Sequence, residues 1–456
     1  MKIIVLGAGQ VGMTVARTLV REKNDVTIVD TDSYLLQEIS GRLDLRTVQG
    51  NAAHPDILKQ AGAEDADMII AATTSDEVNM IACQVAYTLY HTPTKIARIR
   101  AQVYLREGKL YANESIPIDH IISPEQLITE HVFRLIEYPG SLQVIDFAKG
   151  RVRLVGVRAD RNGSLVGSTI SCLSQRPSLD TRVAAIYRQG QAIVPTGDTT
   201  IQANDEVFFI TSRQDTLTVM EEIRGISKPS KRIMIAGGGN IGRSVAKVLE
   251  SRYRVKLIEK SPNRSFTLAE SLNRTLVLKG DATDRELLIE EGIDNVDVFC
   301  ALTNDDEDNI LCAMLAKRLG ADKVISLIAR PAYVDLIQKD IIDIAVSPQQ
   351  VTTSALLTHI RRGDVVAVHS LRHGAAEAIE AIAHGDYRTS KVVGRCINEL
   401  SLPSGASIGA LVRDEQVLIA HGDIKIEEGD HVIIFLTDKN KVPQVEKLFQ
   451  VGVAFI

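Results

Sequence analysis

The chain of 456 residues is long enough for two to four domains, because single domains usually hold about 100 to 200 residues. A chain of this length does not need disulfide staples to build a core. It carries 52 Lys and Arg residues against 58 Asp and Glu residues, a formal net charge of -6. That balance argues against a nucleic-acid partner, and the absence of Trp with an aromatic content of 4% argues against base-stacking platforms.

The five cysteines predict reduced thiols, because they are odd in number, widely spaced and form no C-x-x-C pair that would indicate zinc. The first residues run directly into a strand-like apolar segment, so we expect no signal peptide. No stretch approaches the roughly 18 uninterrupted apolar residues of a membrane helix. We therefore expect a cytoplasmic protein that reaches a membrane only by docking on another protein.

In chain order, each half begins with short apolar runs that alternate with helix-length segments. In the first half the predicted strands are Lys2–Leu6, Val26–Val29, Arg46–Val48, Met68–Ala72 and Lys95–Ile99, with helices such as Val11–Arg21 and Glu77–Tyr90 between them. This alternation predicts a doubly wound parallel sheet of the Rossmann type. The later runs are β-rich and separated by Gly, Asn and Asp turns, which predicts a small α+β domain: Val152–Val157, Arg182–Tyr187, Ile193–Pro195 and Glu206–Ile210.

An internal repeat gives the second half the same organisation. The segment Gly7–Gly12 returns as Gly237–Gly242, an offset of 237 - 7 = 230, and Gly50–Ala52 returns as Gly280–Ala282 at the same offset. A third motif also returns in register: Thr73, Asp76, Glu77 and Asn79 as Thr303, Asp306, Glu307 and Asn309. One offset held across separate motifs indicates a duplicated module.

The predicted fold class is thus α/β, with two tandem Rossmann domains that are each followed by a small α+β domain. The polar segment Gly225–Ser230 is the predicted central linker. The second α+β region is expected at about Ile379–Phe449. The predicted domain bounds are 1–137, 138–225, 231–362 and 363–456.

The glycine loops have the context of a dinucleotide-binding turn, because each follows a predicted strand and opens a predicted helix. An acid closes the next strand, Asp30 in the first copy and Glu259 in the second. Such a carboxylate accepts hydrogen bonds from ribose hydroxyls and repels a 2′-phosphate, which favours NAD or an adenosine nucleotide over NADP. A tight turn with a purely structural role is the alternative. The loop candidates are Gly7, Ala8, Gly9, Gln10, Val11 and Gly12, and Gly237, Gly238, Gly239, Asn240, Ile241 and Gly242.

Further candidates follow the third strand of each copy. Asn51 and Ala52 lie on this turn in the first copy, and Asp281 takes the place of Asn51 in the second. A polar side chain here would meet adenine or ribose, or it would merely cap the turn.

The fourth strand is followed by Thr73 and Thr74, and by Thr303 in the second copy. They lie at the carboxyl edge of the predicted sheet, where open α/β sheets bind ligands. N-cap chemistry for the next helix explains Thr73, Asp76 and Asn79 equally well.

Arg98 and Arg100 end the fifth predicted strand and point to the same face by strand alternation, where they would neutralise phosphates or pair with acids. The second copy keeps Arg330 in the place of Arg100 but has Ile328 in the place of Arg98. It also carries the acidic run 305–308, which is either a solvated helix start or a site for a cation. The two sites are therefore expected to differ, the first being better suited to a polyphosphate.

No catalytic or metal-binding residues are predicted. None of the ten histidines recurs in register between the copies, and no constellation of acid, base or nucleophile accompanies the glycine loops. Repeated nucleotide motifs without repeated catalytic groups favour a sensor. An NAD-dependent oxidoreductase is the alternative, and a redox-sensing transcription factor would need a basic recognition helix that the acidic sequence lacks.

These motifs together resemble the RCK family, whose modules regulate potassium channels and transporters. The resemblance covers the whole chain and rests on the glycine loop with Asp30, the turn Gly50–Ala52, the run Ala72–Glu77 followed by Asn79, and Arg98 with Arg100. Two such modules in one chain are similar to the regulators of Trk-type potassium uptake.

The resemblance implies a function and an assembly. It implies a ring, a homotetramer or alternatively a dimer, that binds NAD or NADH and ATP or ADP and gates a membrane-embedded potassium-translocating subunit. The ring would be peripheral on the cytoplasmic face of the inner membrane. The helices at Pro124–Glu137 and Pro348–Arg361 would make the contacts between lobes and couple neighbouring modules.

Overall fold

The computed structural model describes residues 1–112, 114–175, 180–225, 230–336, 342–359, 365–371 and 376–450. Most of the predicted central linker, at 226–229, lies outside these residues, as do Arg361 and the domain limits at 362, 363 and 456. The chain divides into two compact units. The first holds 1–128 and 348–359, and the second holds 129–347 and the described residues after 364.

The first half begins with a six-stranded parallel sheet in the order β3-β2-β1-β4-β5-β6, the doubly wound order of Rossmann domains. Its strands are β1 (Lys2–Leu6), β2 (Asp25–Asp30), β3 (Arg46–Gln49), β4 (Met68–Ala71), β5 (Thr94–Arg98) and β6 (His120–Ile122). The helices are α1 (Gln10–Arg21), α2 (Ser33–Ser40), α3 (Pro55–Gln60), α4 (Asp76–Tyr90), α5 (Gln102–Leu105) and α6 (Pro124–Glu137). Central strands such as β1 are continuous apolar runs because helices cover both faces of the sheet.

The first half ends in a five-stranded sheet in the order β10-β9-β11-β8-β7. It contains β7 (Ser141–Phe147), β8 (Val152–Arg158), β9 (Thr181–Arg188), β10 (Gln191–Ile193), β11 (Glu206–Ser212) and α7 (Thr216–Arg224). All of its pairings are antiparallel. The strand predicted at Ile193–Pro195 is displaced, because Gln189 and Gly190 turn the chain at positive φ and start β10 earlier.

The second half repeats the parallel sheet in the order β14-β13-β12-β15-β16-β17. Its strands are β12 (Arg232–Ala236), β13 (Arg254–Glu259), β14 (Leu276–Lys279), β15 (Val298–Ala301), β16 (Lys323–Leu327) and β17 (Ile344–Val346). The helices are α8 (Asn240–Leu249), α9 (Pro262–Ser271), α10 (Arg285–Glu290), α11 (Asp306–Arg318), α12 (Pro331–Leu336) and α13 (Pro348–Thr358).

A second antiparallel sheet, in the order β18-β19-β22-β20-β21, completes this half. It contains β18 (Val365–Leu371), β19 (Ala376–Ile382), β20 (Ala406–Arg413), β21 (Gln416–Ile419), β22 (His431–Leu436) and α14 (Val442–Phe449). Within the second unit the two antiparallel sheets share one core, in which Phe208 and Ile210 of the first join Ile433 and Phe435 of the second. Among the described residues, no helix combines the length and apolar character needed to cross a membrane.

The helices that follow the two parallel sheets are exchanged between the copies. Helix α13 packs against α1 of the first copy, where Gln349 Nε2 donates to Gln10 Oε1 over 2.7 Å. In the second unit, the end of α6 docks on the sheet of the second copy, because Lys323 Nζ donates to the Leu135 carbonyl over 3.1 Å. Each helix therefore contacts the Rossmann domain of the other copy.

Candidate functional site

The first glycine loop joins β1 to α1, and two of its glycines are required by the packing of the chain itself. Gly7 has a φ of +100°, and a Cβ there would lie 3.0 Å from the Ala72 carbonyl group. A Cβ at Gly12 would overlap the Gly7 carbonyl oxygen. These positions therefore fix the tight turn and bring α1 against β1.

Gly9 is different, because nothing in the fold requires a glycine there. Its φ of -62° suits any residue, and a Cβ would meet no atom within 4 Å. Gly9 is also the N-cap of α1 and makes no side-chain cap bond. Gly239 in the second copy has the same conformation, and its Cβ would lie no closer than 3.7 Å to the nearest atom, Asn304 Oδ1. Both loops thus keep open space beside the first turn of a helix, where backbone amides favour an anion.

The acids that close the second strands brace these loops. Asp30 Oδ2 accepts from the Ala8 amide over 2.6 Å, and Oδ1 accepts from the Asp32 amide over 2.9 Å. Glu259 repeats the arrangement, since Oε2 accepts from the Gly238 amide over 2.9 Å. Each carboxylate oxygen can accept a second bond, so this bracing leaves room for ribose hydroxyls.

The turn after the third strand differs between the copies. Asn51 Oδ1 accepts from the Ala53 amide over 3.0 Å, which fits the capping interpretation, and the Ala52 side chain is buried. In the second copy Asp281 forms an ion pair with Lys260 over 2.8 Å. That bond, together with the Thr283 amide and hydroxyl, lowers the pKa of Asp281 to about 2.

The motif after the fourth strand is a buried hydrogen-bond network. The Thr73 amide and hydroxyl both donate to Asn79 Oδ1, over 3.0 and 2.7 Å, and Asn79 Nδ2 donates to the Arg98 carbonyl over 2.8 Å. The N-cap of α4 itself is Ser75, whose amide donates to the Thr73 hydroxyl over 3.3 Å, and Asp76 lies in the first turn. The contacts of this motif thus include cap chemistry and reach beyond it. Thr303 and Asn309 form the same network in the second copy.

Asp76 joins the end of the fifth strand to this motif. It is buried and accepts from the Arg100 and Ala101 amides over 3.0 and 2.8 Å. Asp306 accepts instead from the Ala329 and Arg330 amides, because the next residue is Pro331 and has no N–H. The network thus fixes the carboxyl edge of both parallel sheets.

Arg98 and Arg100 lie at this edge in the first copy. Arg98 ends β5, and its buried Nε has no hydrogen-bond partner among the described residues. Burial and the charge of Arg100 lower the pKa of Arg98. Arg100 lies beyond the strand, where it donates to the Thr74 carbonyl and approaches Asp76 Oδ1 to 3.9 Å. The first edge therefore holds a guanidinium with unused hydrogen-bonding capacity.

At the corresponding edge of the second parallel sheet, one arginine is replaced by an apolar residue and the other is paired with an acid. Ile328 is fully buried, and Arg330 donates to Glu307 Oε1 and to the Tyr333 hydroxyl over 2.8 and 2.7 Å. Most of the acidic run is used by the fold, since Asp305 caps α11 and Asp306 binds backbone amides. Within the described residues, no group of three or more His, Cys, Asp or Glu side chains is arranged to hold a metal ion.

A cavity of about 220 Å³ lies over the second glycine loop. Of the predicted residues, those that line it are Gly237, Gly239, Glu259, Asp281 and Thr303. Of the remaining members of the loop, Gly238 binds Glu259 through its amide, and Asn240 to Gly242 form the first turn of α8. Lys260 and Arg264 also line the cavity, and the sequence patterns missed both. A one-residue deletion before β13 changes the local offset to 254 - 25 = 229, so that Lys260 takes the place of Thr31.

The ion pair at this cavity has a measurable consequence for stability. The Asp281→Asn variant, which introduces the first copy's amide, is expected to unfold about 1 kcal/mol more easily at pH 7, a small value because the carboxylate is half exposed. The pKa of Asp281 is lowered from 3.8, so its contribution is complete above about 4 and is lost as the pH falls towards about 2. Urea unfolding across this pH range measures whether the free energies of unfolding of the parent and of Asp281→Asn become equal as the pH falls.

The control for this effect is Glu290→Gln, which neutralises an exposed acid on α10 that forms no ion pair with the described residues. It is expected to leave the difference between neutral and acidic pH unchanged. An Asp281→Asn difference that persisted at pH 2 would mean that the ion pair is not its source.

Comparison with known proteins identifies the family of this double module. The TrkA-N domain family matches residues 3–124 and 233–348, and the TrkA-C domain family matches residues 154–224 and 387–450. The chain is 59% identical over 456 residues to the Trk system potassium uptake protein TrkA of Halomonas elongata and 57% identical over 458 residues to that of Vibrio alginolyticus, with 100% of every chain covered. The chain belongs to the TrkA family.

Solved structures share the fold at low identity. The GsuK RCK domain matches with a TM-score of 0.61 at 19% identity, covering 98% of this chain and 94% of that chain. The GsuK channel bound to NAD matches with a TM-score of 0.62 at 19% identity, covering 98% of this chain and 78% of that chain. The predicted fold class and the resemblance to RCK modules are confirmed, and membership of the TrkA family supports potassium uptake and not an oxidoreductase.

Proposed function

We propose that this TrkA-family chain is the nucleotide-sensing regulatory subunit of a Trk-type potassium uptake system. In this proposal NAD or NADH and ATP or ADP bind at the two glycine loops and control a membrane-embedded potassium-translocating subunit. The open space at Gly9, beside a helix start that the fold leaves uncapped, is the observation that carries the proposal. A nucleotide phosphate fits that space because helix N-termini bind anions.

The residues proposed to bind nucleotide surround each loop. At the first site they are Gly7, Ala8, Gly9, Gln10, Val11, Gly12, Asp30, Asn51, Ala52, Thr73, Thr74, Arg98 and Arg100. At the second they are Gly237, Gly238, Gly239, Asn240, Ile241, Gly242, Glu259, Asp281 and Thr303. Arg98 and Arg100 suit the first site to phosphates, whereas Lys260 is held by Asp281 at the second.

The acidic and thiol side chains near the two loops favour a sensor without catalytic chemistry. Asp30, Glu259 and Asp76 all bind backbone amides of the fold. Cys312 lines the second cavity, but burial raises the pKa of its thiol to about 12, so it is not a thiolate nucleophile at neutral pH. An NAD-dependent oxidoreductase needs a poised acid or base to move a proton on the substrate that exchanges hydride with the nicotinamide, and these groups do not provide one.

The first glycine loop directly contacts one of the exchanged helices, α13, so nucleotide binding at the loop can be transmitted to it. Gln10 in the loop accepts from Gln349 of α13, so a ligand that moves Gln10 also moves the start of that helix. A nucleotide with unequal affinity for two conformations shifts their populations by that difference. A difference of about 1 to 3 kcal/mol changes the ratio of open to closed states by about 5- to 150-fold.

The proposed setting follows from this role. The chain would act on the cytoplasmic face of the inner membrane as part of a ring, a homotetramer or alternatively a dimer. Its proposed domains are 1–137, 138–225, 231–362 and 363–456.

Asp30→Asn tests the proposal in the full chain. Loss of the charged acceptor is expected to weaken ATP or NADH binding about 10- to 100-fold, since one hydrogen bond to a charged group is worth about 1.5 to 3 kcal/mol. Nucleotide-dependent potassium uptake by cells should fall in parallel. Calorimetric titration and potassium uptake measure the two effects.

Asp25→Asn is the matched control, because Asp25 begins the same strand and is exposed. It is expected to bind and regulate as the parent chain does. Normal nucleotide regulation by Asp30→Asn would contradict the proposal, and so would steady turnover of a nicotinamide cofactor by the purified parent chain.

A further inference from the structure

A groove lined with cations lies on the second parallel sheet, away from the glycine loop. Its volume is about 800 Å³, and it is open at the amino-terminal ends of β12 and β13. We call it the basic groove; it is lined by Lys231, Arg232, Ser251, Arg252, Tyr253, Arg254, Arg274 and Asp297. Five cations and one acid stand together here in a chain whose net charge is -6.

Most of this positive charge is not neutralised by the protein. Arg232 lies 3.8 Å from Asp297, and Arg252 lies 3.4 Å from Glu137. Among the described residues, no carboxylate forms an ion pair with Lys231, Arg254 or Arg274, all of which are exposed. Asp297 also accepts from the Lys231 and Arg232 amides over 2.7 and 2.8 Å. The groove therefore presents a net positive face to solvent.

The first copy shows that the fold does not require two of these cations, Arg254 and Arg274, although Lys2 and Lys23 keep a cation at the positions of Arg232 and Arg252. Arg254 pairs with Arg232 in the sheet as Asp25 pairs with Lys2, so Arg254 stands where the first copy has Asp25. Arg274 precedes β14 by two residues as Asp44 precedes β3. Both positions are acidic in one copy and basic in the other, on the same sheet edge. Such a reversal indicates a ligand with negative charge for the second copy alone.

We propose that the basic groove is a docking surface for anionic phospholipid headgroups. This inference rests on the proposed function, which brings the chain to a membrane transporter. The cations are exposed along an open edge and do not converge on one buried point, which suits several headgroups better than one chelated phosphate. Cytoplasmic loops of membrane proteins are themselves rich in Lys and Arg, so they would repel this surface. The cytoplasmic leaflet is negatively charged and attracts it.

The full chain tests the inference with vesicles. It is expected to sediment with vesicles of phosphatidylcholine and phosphatidylglycerol, but not with vesicles of phosphatidylcholine alone, and salt should weaken the binding. The double variant Arg254→Asp/Arg274→Asp, which carries the first copy's residues, should bind at least about 25-fold more weakly, because each cation near an anionic surface contributes about fivefold.

The control is Arg106→Asp/Arg285→Asp, which makes the same change of charge at two exposed positions outside the groove. It should retain vesicle binding. Equal binding by the groove variant and the parent, or no binding of the parent to anionic vesicles, would overturn the inference. A different result would be that millimolar inorganic phosphate displaces the parent from vesicles and binds it directly in calorimetry. That result would assign the groove to free phosphate and overturn the proposal of lipid headgroups.

The same variants separate this inference from the proposed function. Arg254→Asp/Arg274→Asp is expected to titrate with ATP as the parent does, because the groove contains none of the proposed nucleotide residues. A parent chain that bound anionic vesicles through the groove but bound no nucleotide would support the docking surface and refute the sensor.

Discussion

A Gly9→Asp variant of the full chain is expected to bind ATP or NADH at the first site at least about 100-fold more weakly than the parent while remaining folded. The new side chain enters the open space beside the start of α1, in which a Cβ meets no protein atom within 4 Å. Its carboxylate occupies the phosphate position and repels the ligand, and it accepts the same amides as an N-cap. Calorimetric titration measures the loss, and urea unfolding measures stability.

The duplicated module supplies the control for this result. Gly239→Asp places the same group in the second loop, so it is expected to leave the first site intact and to weaken the second. Gly9→Ala serves as a milder variant of the same position. Folded Gly9→Asp protein that bound nucleotide normally at the first site would show that the phosphates do not lie at the α1 start.

The sequence was most informative where burial is continuous. The predicted strand Lys2–Leu6 agrees with β1, whose residues after Lys2 are all buried. The helix at Pro124–Glu137 also agrees with α6, but it came from the family resemblance and not from a burial pattern. The strand Ser141–Phe147 was not predicted, because its apolar and polar residues alternate irregularly around a bulge in its pairing with β8. Short antiparallel strands carry too little pattern to be placed without their partners.

Distant partners also explain what the site patterns left open. The spacing of Thr73, Asp76 and Asn79 fits both capping and ligand contact, since both place polar groups at a helix start. The structure gives Asp76 the amides of Arg100 and Ala101, 24 and 25 residues away. No local spacing reports such a partner. Lys260 was missed because its counterpart in the first copy is the uncharged Thr31, so comparison of the two copies gives it no matching residue.

Replacing Arg98 with the residue at the same position of the second copy, Arg98→Ile, is expected to weaken ATP binding at the first site about 10- to 100-fold, the value of one charge-assisted hydrogen bond. The buried Nε of Arg98 has no hydrogen-bond partner among the described residues, so a phosphate oxygen would satisfy it. Burial and the charge of Arg100 lower the pKa of Arg98, and a bound anion would oppose that shift. The loss should shrink from ATP to ADP and disappear for adenosine.

The competing explanation is that Arg98 serves the fold by compensating the charge of Glu125. Burial raises the pKa of Glu125, and a backbone hydrogen bond and the charge of Arg98 oppose that shift. In that case Arg98→Ile lowers the free energy of unfolding and weakens the binding of ATP, ADP and adenosine by the same factor. Arg330→Ala is the control, because Arg330 takes the place of Arg100 in the second copy and is already paired with Glu307. A loss that depends on the number of phosphates, with binding at the second site unchanged, would assign Arg98 to the ligand. It would also explain why the two copies, which share one fold, differ at this position.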